Sequence, residues 1–97
     1  MKLIFEWDAK KANANIRKHR VPFDEAKTIF DDPLLVTYPD DFHSDHEDRY
    51  ISIGFSAHNR ILLAVHTEVQ ETEETLVVRI ISCRKTTSSE RKYYEEN

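Results

Sequence analysis

The sequence predicts an α+β domain: two N-terminal helices packed on a mainly antiparallel meander sheet of about four to five strands, closed by a short C-terminal helix. Helical spacing dominates from Ala9 to Asp31, strand patterning takes over from Leu34 to Lys85, and a capping signature opens at Thr87. At 97 residues the chain has room for one modest core, burying roughly two thirds of its unfolded surface, so residues 1–97 are read as a single domain.

Leu3, Phe5 and Trp7 alternate with Ile4, Glu6 and Asp8, the period-two pattern of a strand with one buried face. Asp8 is a good N-cap, and Ala9, Ala12, Ile16 and His19 then fall at helical spacing, which predicts a first helix over Ala9 to Arg20. Pro22 stops it, because the residue before a proline is pushed out of the helical region. Phe23, Ala26 and Phe30 give a second helix over Phe23 to Asp31, ended by Pro33.

Strands follow at Leu34 to Tyr38, Arg49 to Ser56, Arg60 to Glu68 and Leu76 to Lys85, an antiparallel meander by default. With His58-Asn59 as a two-residue turn, Ala57 pairs with Arg60. That register sets Phe55 opposite Leu62, Ile53 opposite Ala64, Ile51 opposite His66 and Arg49 opposite Glu68, with His66 ending the row that faces the helices. Thr87 at N-cap and Glu90 at N3 form a capping box for the last helix.

Hydrophobic residues make up 39% and aromatic residues 10%, enough for a real core and too many for a disordered chain. One cysteine, Cys83, excludes an intrachain disulfide, which with the absence of an apolar leader or span after Met1 predicts a cytoplasmic protein without membrane attachment. A net charge of −4 argues against a simple nucleic-acid binder. The charge is segregated, however: acids crowd Asp40 to Asp48 and Glu68 to Glu74, bases crowd Lys10 to Arg20 and Arg79 to Lys92, so one basic face remains available.

Arg79 sits mid-strand between Val77 and Ile81, where a two-residue period gives all three one face and makes it a buried arginine in need of a partner. Two readings stand: an ion pair with a carboxylate such as Glu47 or Glu68, or a phosphate clamp extended by Arg84, Lys85, Arg91 and Lys92. Asn15, Lys18 and His19 share one flank of the first helix, with His19 at its negative dipole end, either as a C-terminal cap or as a general acid. Asn15 is read as a brace for the following loop. Glu47 and Arg49, two apart at a strand entry, point to one side and brace each other, and Glu47 is a candidate general base. The run from His43 to Arg49 is dense in ligand types but lacks clean metal spacing, so it is read as an acidic loop with no metal. One glycine, Gly54, leaves no phosphate-binding glycine loop and disfavours nucleotide hydrolysis.

The stretches FEWDAKKANANIRKHRVPFDEAKTIFDDP, HSDHEDRYISIGFS, RILLAVHTE and VRIISCRKTTSSERKYYE together resemble the BrnT family of type II toxins over nearly the whole chain. The resemblance implies a RelE-like fold, a ribonuclease that halts translation, and neutralisation by a BrnA-like ribbon-helix-helix antitoxin through which alone DNA is contacted. The matching polar positions are Lys18, His19, Glu47, Arg49, His66, Arg79 and Arg84, with Tyr94 matching the terminal aromatic. The acidic stretch Val69 to Thr75 departs from what an RNA-facing loop needs.

Metal-free RNA cleavage needs a base for the 2′-hydroxyl, an acid for the 5′-oxygen and cations for the developing phosphate charge. Arg79 and Arg84 are assigned to the phosphate, His19 or His66 to proton transfer, Glu47 to base or orienter, and Lys18, Arg49, Lys85 and Tyr94 to substrate binding, with no cofactor. Self-association into a homodimer is compatible with this reading. Two rivals stand beside it: a non-catalytic module acting as antitoxin partner and co-repressor, and a metal-dependent hydrolase using His43, Asp45 and His46.

Overall fold

A computed structural model of the chain describes residues 1–42 and 47–97. The metal-ligand candidates His43, Asp45 and His46 lie outside the described residues. The first strand, β1 (Lys2–Glu6), turns Leu3 and Phe5 inward as its alternation predicts. The Asp8 carboxylate then accepts from the Lys10 amide and starts α1 (Ala9–His19). The helix ends on Arg20, whose φ of 61° is left-handed and whose amide donates to the Ile16 carbonyl.

The buried face of α1 differs from the one its apolar spacing indicates. Ile16 is exposed and Asn15 is buried. The Asn15 amide nitrogen donates to the carbonyls of Val21 and Cys83, both at 2.8 Å, and its oxygen accepts from the Cys83 amide at 3.1 Å. A polar side chain is the better occupant here because it satisfies backbone groups on an otherwise unpaired stretch of strand.

Pro22, extended, caps α2 (Phe23–Ala26), which tightens at once into a 3-10 turn over Lys27–Asp31 instead of continuing as one α-helix. The Thr28 hydroxyl donates to the Glu25 carbonyl at 2.6 Å, competing with the backbone where the pitch changes. Asp32 then accepts from the amides of Leu34 and Phe55, both at 2.8 Å, tying the turn to the sheet.

The strands β2 (Val36–Pro39), β3 (Arg49–Phe55), β4 (Ile61–Gln70) and β5 (Thr75–Lys85) form the expected meander, in the sheet order β1-β5-β4-β3-β2. The sheet is mixed, because β1 runs parallel to β5 with Glu6 opposite Arg79. The whole helical layer and the meander lie between these two strands in sequence, and a parallel pair requires such a long crossover. The β3–β4 register is one residue away from the expected one: Phe55 faces Ile61, Ile53 faces Leu63 and Arg49 faces Thr67. Ser56 and Arg60 close the hairpin around three residues, and Asn59 supplies the left-handed φ of 63° that such a loop takes.

One layer of the molecule is built from Val21, Phe23, Ala26 and Ile29 of the helical segment packed on Leu62, Ala64, Ile80 and Cys83 of the sheet. His66 faces this layer, as expected, with its ring 5.1 Å from that of Phe30. Gly54 lies where a Cβ would approach Leu35 Cδ1 to 2.9 Å and Ile29 Cβ to 3.0 Å, so only glycine lets the turn sit this close to β3. On the opposite face, α3 (Ser88–Glu96) opens on the predicted Thr87–Glu90 capping box and packs Tyr93 edge-on against Tyr38, with ring centroids 5.7 Å apart. No helix among the described residues is long and apolar enough to cross a membrane.

Candidate functional site

The face of the sheet turned away from α1 and α2 carries the candidate arginines Arg49, Arg79 and Arg84, and a β-bulge brings the last two onto it together. Val65 pairs with Ser82 but His66 pairs with Ile80, leaving Ile81 as the extra residue on β5. In a regular strand Arg79 and Arg84, five apart, point to opposite faces. The bulge reverses the alternation between them, so Val78, Ile80 and Cys83 are buried while Arg79 and Arg84 emerge together on the open face.

Arg84 lines a groove of about 440 Å³ with Tyr38, Arg49, Ser82 and Glu90 over a floor of Leu63 and Val65. Its guanidinium is held by Glu90 through two hydrogen bonds of 2.8 and 2.9 Å. The Arg84 hydrogen bond holds the Glu90 carboxyl down at about 2, against an ordinary value of 4.5. Burial, with Glu90 nearby, raises the Tyr38 phenol. Arg49 stands 3.9 Å from Glu47, the bracing expected of that pair.

Arg79 is a correction. It is not buried, and its partner is Glu6, 3.5 Å away, with both side chains about half exposed at 44% and 53%. The helices α1 and α2 cover the other face of the sheet, and α3 reaches only the end of the open face near Tyr38 and Ile53, so none of these helices roofs Arg79.

Lys18 and His19 project from the end of α1 into a cleft shared with Lys11, Asn15, Ile81 and Ser82. Since β1 pairs only with Thr75–Arg79, the rest of that edge of β5 is left to α1 and Asn15, which brings the helix end to the bulge. Ile81 and Ser82 line both this cleft and the Arg84 groove, so the two join at the bulge.

Three candidates lie elsewhere. His66 is fully buried: its Nε2 is 2.7 Å from the Ser52 hydroxyl, which is 2.7 Å from that of Thr37, and its Nδ1 is 3.6 Å from Glu68. Burial pushes the imidazole down to about 4, so it is neutral at pH 7. Lys85 lines a separate cleft with Arg60 and Arg91 at the end of the sheet. The Tyr94 hydroxyl donates to Asp32, which docks the last turn of α3 on the 3-10 turn, and burial together with that bond raises the phenol to about 12.

The His66 geometry predicts a pH effect on stability. Its folded value lies below the unfolded 6.5, so unfolding takes up a proton at acidic pH. The folded state therefore loses stability as pH falls from about 6.5 to about 4, by about 3 kcal/mol in total, and none of this loss occurs above pH 6.5. Urea melts of the wild type and of His66→Gln across that range check it, the variant being expected to show a flatter dependence.

Tyr38, Ser82 and Glu90 belong to the groove and were not singled out for it in the sequence. Tyr38 shares a strand face with Val36 as any half-buried strand residue does, and Glu90 reads there only as a helix cap. Among the described residues no group of three or more His, Cys, Asp or Glu side chains is placed to hold a metal ion. Cys83 is buried with its thiol pushed up to about 12, which makes it a packing residue and not a nucleophile.

No curated protein matches the sequence. The fold is similar to that of the Brucella abortus ribonuclease toxin BrnT, known from its crystal structure, with a TM-score of 0.64 at 21% identity over 91% of this chain and 100% of that one. The family described as the ribonuclease toxin, BrnT, of type II toxin-antitoxin systems matches residues 7–90, from Trp7 through α1, α2 and strands β2 to β5 to Glu90. With most of its length matched, this chain belongs to the BrnT family of ribonuclease toxins.

Proposed function

We propose that the protein is a metal-independent endoribonuclease that inhibits translation and is neutralised by a BrnA-like antitoxin carrying a ribbon-helix-helix part. The observation that carries this reading is the convergence at the β5 bulge of Arg84 and Arg49 from the open face with Lys18 and His19 from α1. A phosphodiester lying over Ser82 meets cations from two sides. The 2′-oxygen attacks phosphorus, a base takes its proton, the bond to the 5′-oxygen breaks, and an acid protonates the leaving oxygen. Arg84 and Arg79 take the phosphate charge, His19 the proton transfer, Glu47 the base or orienting role, and Lys18 and Arg49 the substrate. His66 supports the sheet from the core side, since a fully buried imidazole meets no substrate.

The test is cleavage of a long single-stranded RNA in EDTA, with and without ribosomes. Cleavage in EDTA is expected. Activity that needs added metal sinks the metal-free mechanism, and no cleavage with or without ribosomes leaves the non-catalytic partner of an antitoxin, a reading the net charge of −4 favours.

A further inference from the structure

A guanidinium carries five N–H groups in a fixed plane. In Arg84, Nη1 and Nη2 each donate to one oxygen of Glu90, so the carboxylate occupies the edge between them. Nη1 also donates to the Lys85 carbonyl at 3.2 Å. Two donors remain, Nε–H and the outer Nη2–H, which are parallel and coplanar and are bound by no other described residue. This free edge belongs to a side chain that lines the groove with Arg49 and Tyr38.

Glu90 is itself immobilised. Its Oε1 accepts from the Thr87 amide at 2.8 Å and its own amide donates to the Thr87 hydroxyl at 3.3 Å. Beyond it, α3 is fastened by Tyr93 on Tyr38 and by Tyr94 on Asp32. The carboxylate is thus a fixed support, and the arginine leaning on it is fixed in turn.

We propose that Glu90 is a positioning residue: it holds the Arg84 guanidinium by one edge so that the Nε–Nη2 edge presents two parallel donors to the oxygens of a phosphodiester. The inference deepens the ribonuclease reading and rests on it for the identity of the ligand. Preorganised forks bind phosphate better than free ones because the orientation is already set before the anion arrives.

The probe is a mixed-sequence 2′-O-methyl RNA oligonucleotide, which cannot be cleaved, titrated into the full chain while the Arg84 Nε–Hε signal is followed by NMR. In the wild type this signal is expected to move saturably. Glu90→Ala is expected to weaken binding about fivefold, and Glu90→Gln, which keeps the helix cap and one hydrogen bond to the arginine, to recover part of the loss. Thr87→Ala removes the cap and leaves the carboxylate on the fork, so it separates loss of helix stability from loss of positioning; its affinity is expected to stay within about twofold of wild type. A silent Arg84 signal overturns the inference. So does unchanged or tighter binding by Glu90→Ala, which makes Glu90 a bystander or a competitor of phosphate. Saturable binding at Arg84 with no cleavage of unmodified RNA, with or without ribosomes, sinks the ribonuclease reading and leaves the anion site standing.

Discussion

Arg84→Ala is expected to lower RNA cleavage by about two orders of magnitude, the usual loss when a preorganised donor to a developing charge is removed. The variant should keep its fold, because Glu90 retains its bonds to Thr87 and its side chain, 24% exposed, can hydrate once the guanidinium is gone. Arg84→Lys restores the charge but not the planar fork, so it is expected to recover less than about a tenth of the activity. Arg79, paired with Glu6 at the open end of the face, should matter less. Single-turnover cleavage beside a circular dichroism spectrum decides the matter. Wild-type rates in a folded Arg84→Ala would move the phosphate site to Arg79 and Arg49.

The largest expected loss of stability comes from Arg60→Met. Glu25, at the start of the second helical segment, is 4% exposed and accepts from Ser56 at 2.7 Å, from Arg60 Nε at 2.9 Å and from Arg60 Nη2. Arg60 also donates to the Arg20 carbonyl at 3.3 Å, so one ion pair joins the end of α1, the start of α2 and the β3–β4 hairpin. The Arg60 hydrogen bond is the largest influence on Glu25 and, against the opposing effect of burial, holds its carboxyl below 4.5. Without Arg60, burial prevails and the carboxylate is stranded, which costs about 2–4 kcal/mol at pH 7. The loss is expected to shrink as pH falls below about 4.5, where the unfolded carboxyl takes up a proton while the paired carboxyl of the folded wild type stays ionised to lower pH, so the wild type loses the stability that the pair contributes. Adding Glu25→Gln to Arg60→Met removes the stranded charge and should recover part of the loss. Urea melts at pH 7 and pH 4 test both statements; a single variant within about 1 kcal/mol of wild type would mean that solvent screens the pair.

Local chemistry was legible wherever a neighbour in sequence supplies the partner. Asp8 caps α1, Thr87 and Glu90 box α3, Glu47 stands beside Arg49, and Asn15 does brace Val21. The hairpin was misread by one residue because His58-Asn59 satisfies the spacing of a two-residue turn, whereas Asn59 tolerates the left-handed φ that a three-residue loop needs. Glu25 and Arg60, thirty-five apart, carry no sequence signal of their pairing. The same holds for Tyr94 and Asp32.

The sequence by itself determined the element types, their order, most of their ends and the family, because helix periodicity, strand alternation and caps are short-range properties. Only the tertiary structure decided the candidate site. Period-two reasoning assigned Arg79 to a buried row with Ile81, but one extra residue at Ile81 reverses the faces of β5 and brings Arg79 and Arg84 out together. A bulge arises from how one strand must bend to satisfy two neighbours at once, here β4 on one side and β1 with α1 on the other. That balance is set across the sheet, and no window of β5 alone contains it.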